Sequence, residues 1–177
     1  MILRFLCDLK EPFFCGLNFE FIDKRKTFSD SQTIENHQIQ NIMYKKILAG
    51  LGGAIALNIL HETIRKNFSN VPHINEVGEE VLLKITDNTP INITGENNLY
   101  AATLVGDVIS NGIYYATTAT KNDLTSGLLA GVGAIALPKK LGLNDEPVAE
   151  NTQKRLMTVG YYIFGALVTK FIYDRIK

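Results

Sequence analysis

Polar side chains recur at intervals of three and four residues within one otherwise apolar stretch of the chain. That spacing places them on a single face of a helix. A carboxylate in the middle of such a helix is costly in apolar surroundings, so Asp107 is a candidate for carrying protons or substrate. The alternative is a structural lock, in which Asp107 hydrogen-bonds across a helix bundle to Asn58 or Lys170. We call the following residues the polar site: Thr103, Asp107, Ser110 and Tyr114, with Asn111 beside them.

A second candidate site lies at the end of the first apolar segment, where a histidine precedes a glutamate. A zinc-protease helix needs a second histidine four residues after His61, and Arg65 stands there instead. His73 with two glutamates could complete a metal site, but the intervening turn leaves the geometry open. An interfacial histidine and a helix-end ion pair are therefore favoured, and neither metal nor cofactor is predicted. The residues of this second candidate site are His61, Glu62, Glu79 and Glu80.

A charged, turn-rich connector is the third feature, with Lys139, Lys140, Asp145 and Glu146 between Pro138 and Pro147. A solvated turn is favoured over a functional role, and Pro138 is expected to end the preceding helix. No phosphate-binding loop, nucleophile elbow or Ser/His/Asp set occurs in the sequence. A non-enzyme is therefore favoured, acting as a binding, scaffold or accessory subunit. A transporter or membrane enzyme using Asp107 with His61 and Glu62 is the first alternative.

Four apolar segments must position these side chains: residues 47–60, 99–119, 124–137 and 156–173. Each is rich in Gly, Ala, Ser and Thr and lacks a regular polar face, which is typical of helices that are covered on all sides. A spanning helix needs about 20 mostly apolar residues, and no segment reaches that length free of charge. Lysine and arginine near the ends can snorkel to the interface, so four short transmembrane helices are predicted. A soluble or peripheral bundle that binds an apolar ligand is the remaining alternative.

Small residues four positions apart predict how these helices pack. In lipid such residues allow two backbones to approach closely, so the helices would form hairpins packed through small residues. The pairs are Ala49 and Gly53, Gly50 and Ala54, Gly127 and Gly131, and Ala130 and Ala134.

Residues 74–85 predict a further, amphipathic helix. Ile74, Val77, Val81, Leu82 and Ile85 share one face, and acidic residues occupy the other. Such a helix is expected at the membrane interface, with its apolar side on lipid.

Residues 1–42 differ in composition from the rest. They hold eleven charged residues and six of the nine Phe, and no helical period runs through them. Met43 is followed by two lysines and the first apolar segment, as at the start of many small membrane proteins. We therefore predict that residues 43–177 form the domain and that 1–42 are a disordered or loosely packed arm, or an over-extended reading frame.

Charge and cysteine content limit the classes of partner that the sequence predicts. Lys and Arg number 18 and Asp and Glu number 18, so the net charge is zero and no basic surface for nucleic acid is predicted. The two cysteines, Cys7 and Cys15, give neither a disulfide framework nor a zinc site. The expected partners are the lipid bilayer and a membrane protein or a second copy of the chain.

Four stretches carry a resemblance to known sequences: Lys45-Lys46-Ile-Leu-Ala-Gly, Leu57-Asn-Ile-Leu-His-Glu-Thr63, Val77-Gly-Glu-Glu80 and Leu137-Pro-Lys-Lys-Leu-Gly-Leu-Asn-Asp-Glu-Pro147. In these, the chain from Met43 onward resembles a group of small bacterial membrane proteins of unknown function. The resemblance implies a multi-pass protein of the bacterial inner membrane and brings no activity with it. The expected fold is all-α, with four transmembrane helices and one interfacial helix.

Overall fold

A computed structural model describes the backbone of residues 12–87, 89–90, 93–119 and 123–177, with side chains described from His37 onward. This part of the chain contains six helices and no strand, so the all-α prediction is confirmed. The helices are α1 (Pro12–Asn67), α2 (Ile74–Thr86), α3 (Glu96–Thr118), α4 (Asp123–Lys140), α5 (Glu146–Ala149) and α6 (Thr152–Ile176).

The chain divides into two units, Met1–Met43 and Tyr44–Lys177. In the first unit the backbone is helical from Pro12 onward, whereas the sequence pattern favours an irregular arm. No proline lies between Pro12 and Pro72, so nothing in the covalent chain interrupts a helix there. Translation from Met43 stays a prediction.

Within the second unit, glycines bring helix backbones into direct contact. A Cβ atom added to Gly50 would lie 2.3 Å from the carbonyl oxygen of Gly112 on α3, and one added to Gly53 would lie 2.5 Å from that of Gly165 on α6. Gly127 lies equally close to the α6 backbone, with 2.6 Å from its added Cβ to the Cα of Ile163. Close packing at these small residues is thus confirmed.

Two tyrosine hydroxyls connect the packed helices through backbone carbonyls. The buried Tyr115 on α3 donates a hydrogen bond to the carbonyl of Tyr162 on α6, at 2.9 Å. Its neighbour Tyr114 donates to the carbonyl of Ser126 on α4, at 2.8 Å. Both acceptors are carbonyls that already belong to helices, so the bonds link helices and leave each helix intact.

The connector between α4 and α6 is an ordered cap. Helix α4 continues to Lys140, two residues beyond Pro138, which corrects the expectation that the proline ends it. Gly142 then adopts a φ of +70°, and the amide of Leu143 donates to the carbonyl of Pro138 at 2.9 Å. This is the glycine-terminated Schellman arrangement, which needs a left-handed residue that glycine adopts without strain. Residues after Pro138 therefore close the end of α4, and the proline does not.

Only two of the described helices are long and apolar enough to cross a membrane, rather than the four predicted. They are His37–Asn67 and Thr152–Ile176, with mean hydropathies of 1.5 and 1.4 over the best window. Helix α3 falls short because Glu96, Asp107 and three asparagines lower its hydropathy, and α4 because 18 residues include charges at both ends. A third of the residues in the most apolar stretch of each candidate span are buried inside the protein, and the others are half-buried or exposed.

The predicted amphipathic helix is present as α2. Its five apolar residues all line a cavity shared with α3 and α4. The apolar face of α2 is thus turned towards α3 and α4, with Ile85 at its end still half exposed. The interfacial position of this helix stays a prediction.

Candidate functional site

A cavity of about 540 Å³ lies between α2, α3 and α4, and Leu143 and Val148 also line it. Its walls are almost wholly aliphatic, and α2 supplies one side with the face described above. Asp107 is the single charged residue in the described lining. Cavities of about 300–1,000 Å³ with apolar walls and few polar groups are typical of small-molecule sites.

The polar site is divided by the structure. Thr103, Asp107 and Ser110 line the cavity together, as their helical spacing indicates. Tyr114 lies one turn farther on and bonds to α4 instead. Asn111 is half-buried and is not part of the lining. Three of the five predicted residues therefore meet at one surface.

The carboxylate of Asp107 has no hydrogen bond or ion pair with any residue that the structure describes. The two partners expected for a structural lock are engaged elsewhere: Asn58 donates to the carbonyl of Ala54 at 3.0 Å, and Lys170 pairs with Asp174 at 3.1 Å. The lock through Asn58 or Lys170 is therefore not formed. Asp107 instead faces the cavity, where an occupant can reach it.

Gly78 on α2 lies opposite Asp107 and leaves room at the carboxylate. A Cβ atom added there would lie 2.6 Å from Cγ2 of Thr103 and 3.4 Å from Oδ1 of Asp107. Any side chain at this position would press on the polar side of the cavity. The sequence carries a signal for this residue, because a glycine on the apolar face of an amphipathic helix marks a close approach.

Tyr162 on α6 also lines the cavity and has no comparable signal in the sequence. It is one of two adjacent tyrosines that are both buried, and only the packing of α6 decides that Tyr162 lines the cavity while Tyr161 packs on His61. Gly106 and Gly133 are two further lining positions that the sequence analysis did not identify, and neither places a side chain in the cavity.

His61 is a buried structural residue rather than an interfacial one. Its Nε2 atom lies 3.1 Å from the carbonyl oxygen of Pro72 and 3.3 Å from the amide nitrogen of Ile74. A neutral ring nitrogen either donates or accepts, so the tautomer decides which contact is the hydrogen bond. The ring also packs edge-on against Tyr161, with centroids 5.7 Å apart. His61 thereby joins α1 to the segment that leads into α2.

The glutamates of the second candidate site make separate contacts. Glu62 forms a bidentate pair with Arg65, at 3.1 and 2.9 Å, so the predicted ion pair at the helix end is present. Glu79 accepts from Asn75, and Glu80 accepts from the amide of Asn144 in the connector at 2.8 Å. Among the described residues no group of three or more His, Cys, Asp or Glu could hold a metal ion. The four residues therefore do not form one site.

The connector contacts α2 rather than passing through solvent as a passive turn. Lys84 donates to the carbonyl of Gly142, and the amide of His73 donates to that of Pro147 at 3.0 Å. Lys139 and Lys140 are exposed, as are Glu146 and most of the turn, and Asp145 accepts the backbone bonds that begin α5. The connector thus contributes Leu141 and Leu143 to the cavity lining, while both of its lysines and Glu146 are exposed.

Comparisons with models of protein families, with curated proteins and with solved structures found no match.

Proposed function

We propose that this is a multi-pass membrane protein that binds a small apolar molecule in the cavity at Asp107 and performs no chemistry on it. The observation that carries the proposal is the cavity itself: apolar walls on three helices and one carboxylate without a described partner. A binding role is favoured over the transporter or enzyme alternative because His61 and Glu62, the supposed partners of Asp107, make their contacts elsewhere.

The outer surface supports the membrane location. Large apolar side chains lie exposed at helical spacing on α3, as in Val105, Ile109 and Ile113, each more than half exposed. Monomeric soluble proteins rarely expose contiguous apolar surfaces of this kind. The other helices of the bundle contribute Ile55 and Ile59 from α1, Leu128, Leu129 and Val132 from α4, and Leu156, Leu167 and Phe171 from α6.

In this proposal α1 and α6 are apolar enough to span by themselves, and α3 and α4 lie beside them in the bilayer. The glycine contacts support this arrangement, since backbones in direct contact keep the four helices at a common depth. The bacterial inner membrane and an oligomeric or accessory partner stay predictions.

Membrane fractionation followed by an alkaline carbonate wash tests the location. We expect the tagged protein to stay in the pellet. Release into the supernatant would contradict the membrane proposal and leave a peripheral or soluble bundle with the same cavity.

Filling the cavity tests the binding role separately. Gly106→Leu places a side chain in the cavity, and Gly160→Leu is the matched control, because neither glycine has an atom within 4 Å of an added Cβ. We expect the first variant to lose binding of radiolabelled dodecanol in phosphatidylcholine nanodiscs, with empty nanodiscs subtracted, and the second to retain it. Equal binding by both variants would show that the cavity is not the site.

A further inference from the structure

Besides Asp107, the cavity lining includes three residues with a hydroxyl group, Thr103, Ser110 and Tyr162, and Thr103 is the one whose hydroxyl is buried without a described partner. Thr103 lies one helical turn before Asp107 on the cavity side of α3 and is only 4% exposed. Its hydroxyl oxygen has no hydrogen-bond partner among the described residues. Buried hydroxyls are nearly always hydrogen-bonded, so an orphaned one beside an unpartnered carboxylate points to a group that is supplied from outside the chain.

The charge expected of the bound group follows from the residues that line the cavity. Neither Lys, Arg nor His occurs in the described lining, so the carboxylate has no counter-ion there. A lone carboxylate among apolar side chains is costly, and a cation from the occupant would remove that cost. An anionic head group would be repelled, and a neutral hydroxyl offers a single donor without charge.

The shape of the site favours a small head group. Helix α2 passes close to the two polar residues at Gly78, where an added Cβ would already touch both side chains. This close approach favours a compact head group over a bulky quaternary ammonium group. A primary ammonium is compact and carries three N–H donors, enough for both carboxylate oxygens and the Thr103 hydroxyl.

We propose that the occupant is an amphiphilic primary amine, with its ammonium group on Asp107 and Thr103 and its apolar body between α2 and α4. This inference rests on the proposed binding function and adds the chemical class of the ligand.

Three probes that share a chain and differ in the head group test the inference: dodecylamine, dodecanol and dodecanoic acid. Each is titrated as a radiolabelled compound onto the full chain in phosphatidylcholine nanodiscs, with empty nanodiscs subtracted. We expect dodecylamine to bind about tenfold or more tightly than dodecanol, because a charged hydrogen bond is worth more than a neutral one. Dodecanoic acid should bind most weakly.

Asp107→Asn should abolish the preference for the amine while leaving dodecanol binding intact, and Thr103→Val should weaken amine binding by a smaller factor. Glu96→Gln, an exposed acid on the same helix, should change neither affinity. If Asp107→Asn does not fold, the head-group comparison on the unaltered chain and the Thr103→Val variant still test the amine inference. Equal affinity for amine and alcohol would overturn the amine inference and leave the binding function standing. Absence of specific binding by all three probes would overturn both.

Discussion

At the scale of single residues, His61 shows how one side chain can hold several segments together. Its ring is 2% exposed and contacts Pro72, Ile74 and Tyr161, which belong to the loop after α1, to α2 and to α6. Replacing the ring would leave a cavity and also leave a buried backbone group without its partner. Both effects are costly in a packed interior.

We expect His61→Ala to lower the free energy of unfolding by about 2–4 kcal/mol, the usual cost of such truncations. His73→Ala is the matched control, because His73 is half exposed and the hydrogen bond described for its ring is to Glu76, three residues away. The measurement is the unfolding midpoint of each variant in the same nanodiscs. Equal midpoints for the two variants would show that the His61 contacts do not hold α1 to α2.

Asp107 differs from His61 because nothing in the described structure depends on it. Removing an unpartnered buried carboxylate should not destabilise the fold, so we expect Asp107→Asn to unfold at or above the midpoint of the unaltered chain. Tyr115→Phe is the contrasting variant: it removes a cross-helix hydrogen bond and should cost about 1 kcal/mol. A large loss of stability in Asp107→Asn would restore the reading of Asp107 as a structural lock.

At the scale of helices, close contact between two backbones depends on glycines, whose side chain is a single hydrogen atom. Gly50 meets the backbone of α3 at both Gly112 and Ala116, and backbone atoms cannot rotate away as a side chain can. Gly160 lies on the outer side of α6 with open space around it. The same substitution therefore has opposite consequences at the two positions.

We expect Gly50→Ala to cost about 1–3 kcal/mol, the range for overpacking a well-filled interior. Gly160→Ala should be neutral or stabilising by up to about 1 kcal/mol, because alanine is the better helix former. Unfolding midpoints of the two variants provide the comparison. If Gly50→Ala is as stable as Gly160→Ala, α1 and α3 are not in the close contact described.

At the scale of the whole molecule, the exposed apolar side chains bear on whether the bundle is surrounded by lipid or by water. Ile109 is half exposed in the middle of α3, whereas Asn97 is exposed at its first turn. In lipid a charge at a helix centre costs about 2.5–3.5 kcal/mol, while in water a surface substitution usually changes stability by less than about 0.5 kcal/mol. An arginine at the centre of α3 should therefore lower the stability much more if the helix faces lipid than if it faces water.

We expect Ile109→Arg to reduce both the folded protein recovered from membranes and its unfolding midpoint, and Asn97→Arg to leave both unchanged. Recovery is measured after the carbonate wash and the midpoint in nanodiscs. If Ile109→Arg is as well tolerated as Asn97→Arg, α3 faces water and the bilayer is confined to α1 and α6.

Local patterns were sufficient for much of the fold. The helical elements at 74–85, 99–119, 124–137 and 156–173 follow from runs of apolar residues and from helical periodicity, which are properties of neighbours along the chain. Close packing at Gly50, Gly53 and Gly127 follows from small residues at a spacing of four. The meeting of Thr103, Asp107 and Ser110 on one surface follows from the geometry of a single helix.

Tertiary contacts decided the rest, because they join residues that are far apart in sequence. Helical periodicity predicts the apolar face of α2 but not whether lipid or protein covers it. The positions of α3 and α4 decide that this face lines the cavity. The burial of His61 likewise depends on a contact between separate segments, because the loop at Pro72 lies against its ring. The sequence by itself determined the helices from residue 47 onward, apart from their exact ends and the short α5, and it determined which of their residues share a face. The packing of the helices decided what each face meets, since burial and pairing depend on neighbours that periodicity does not contain.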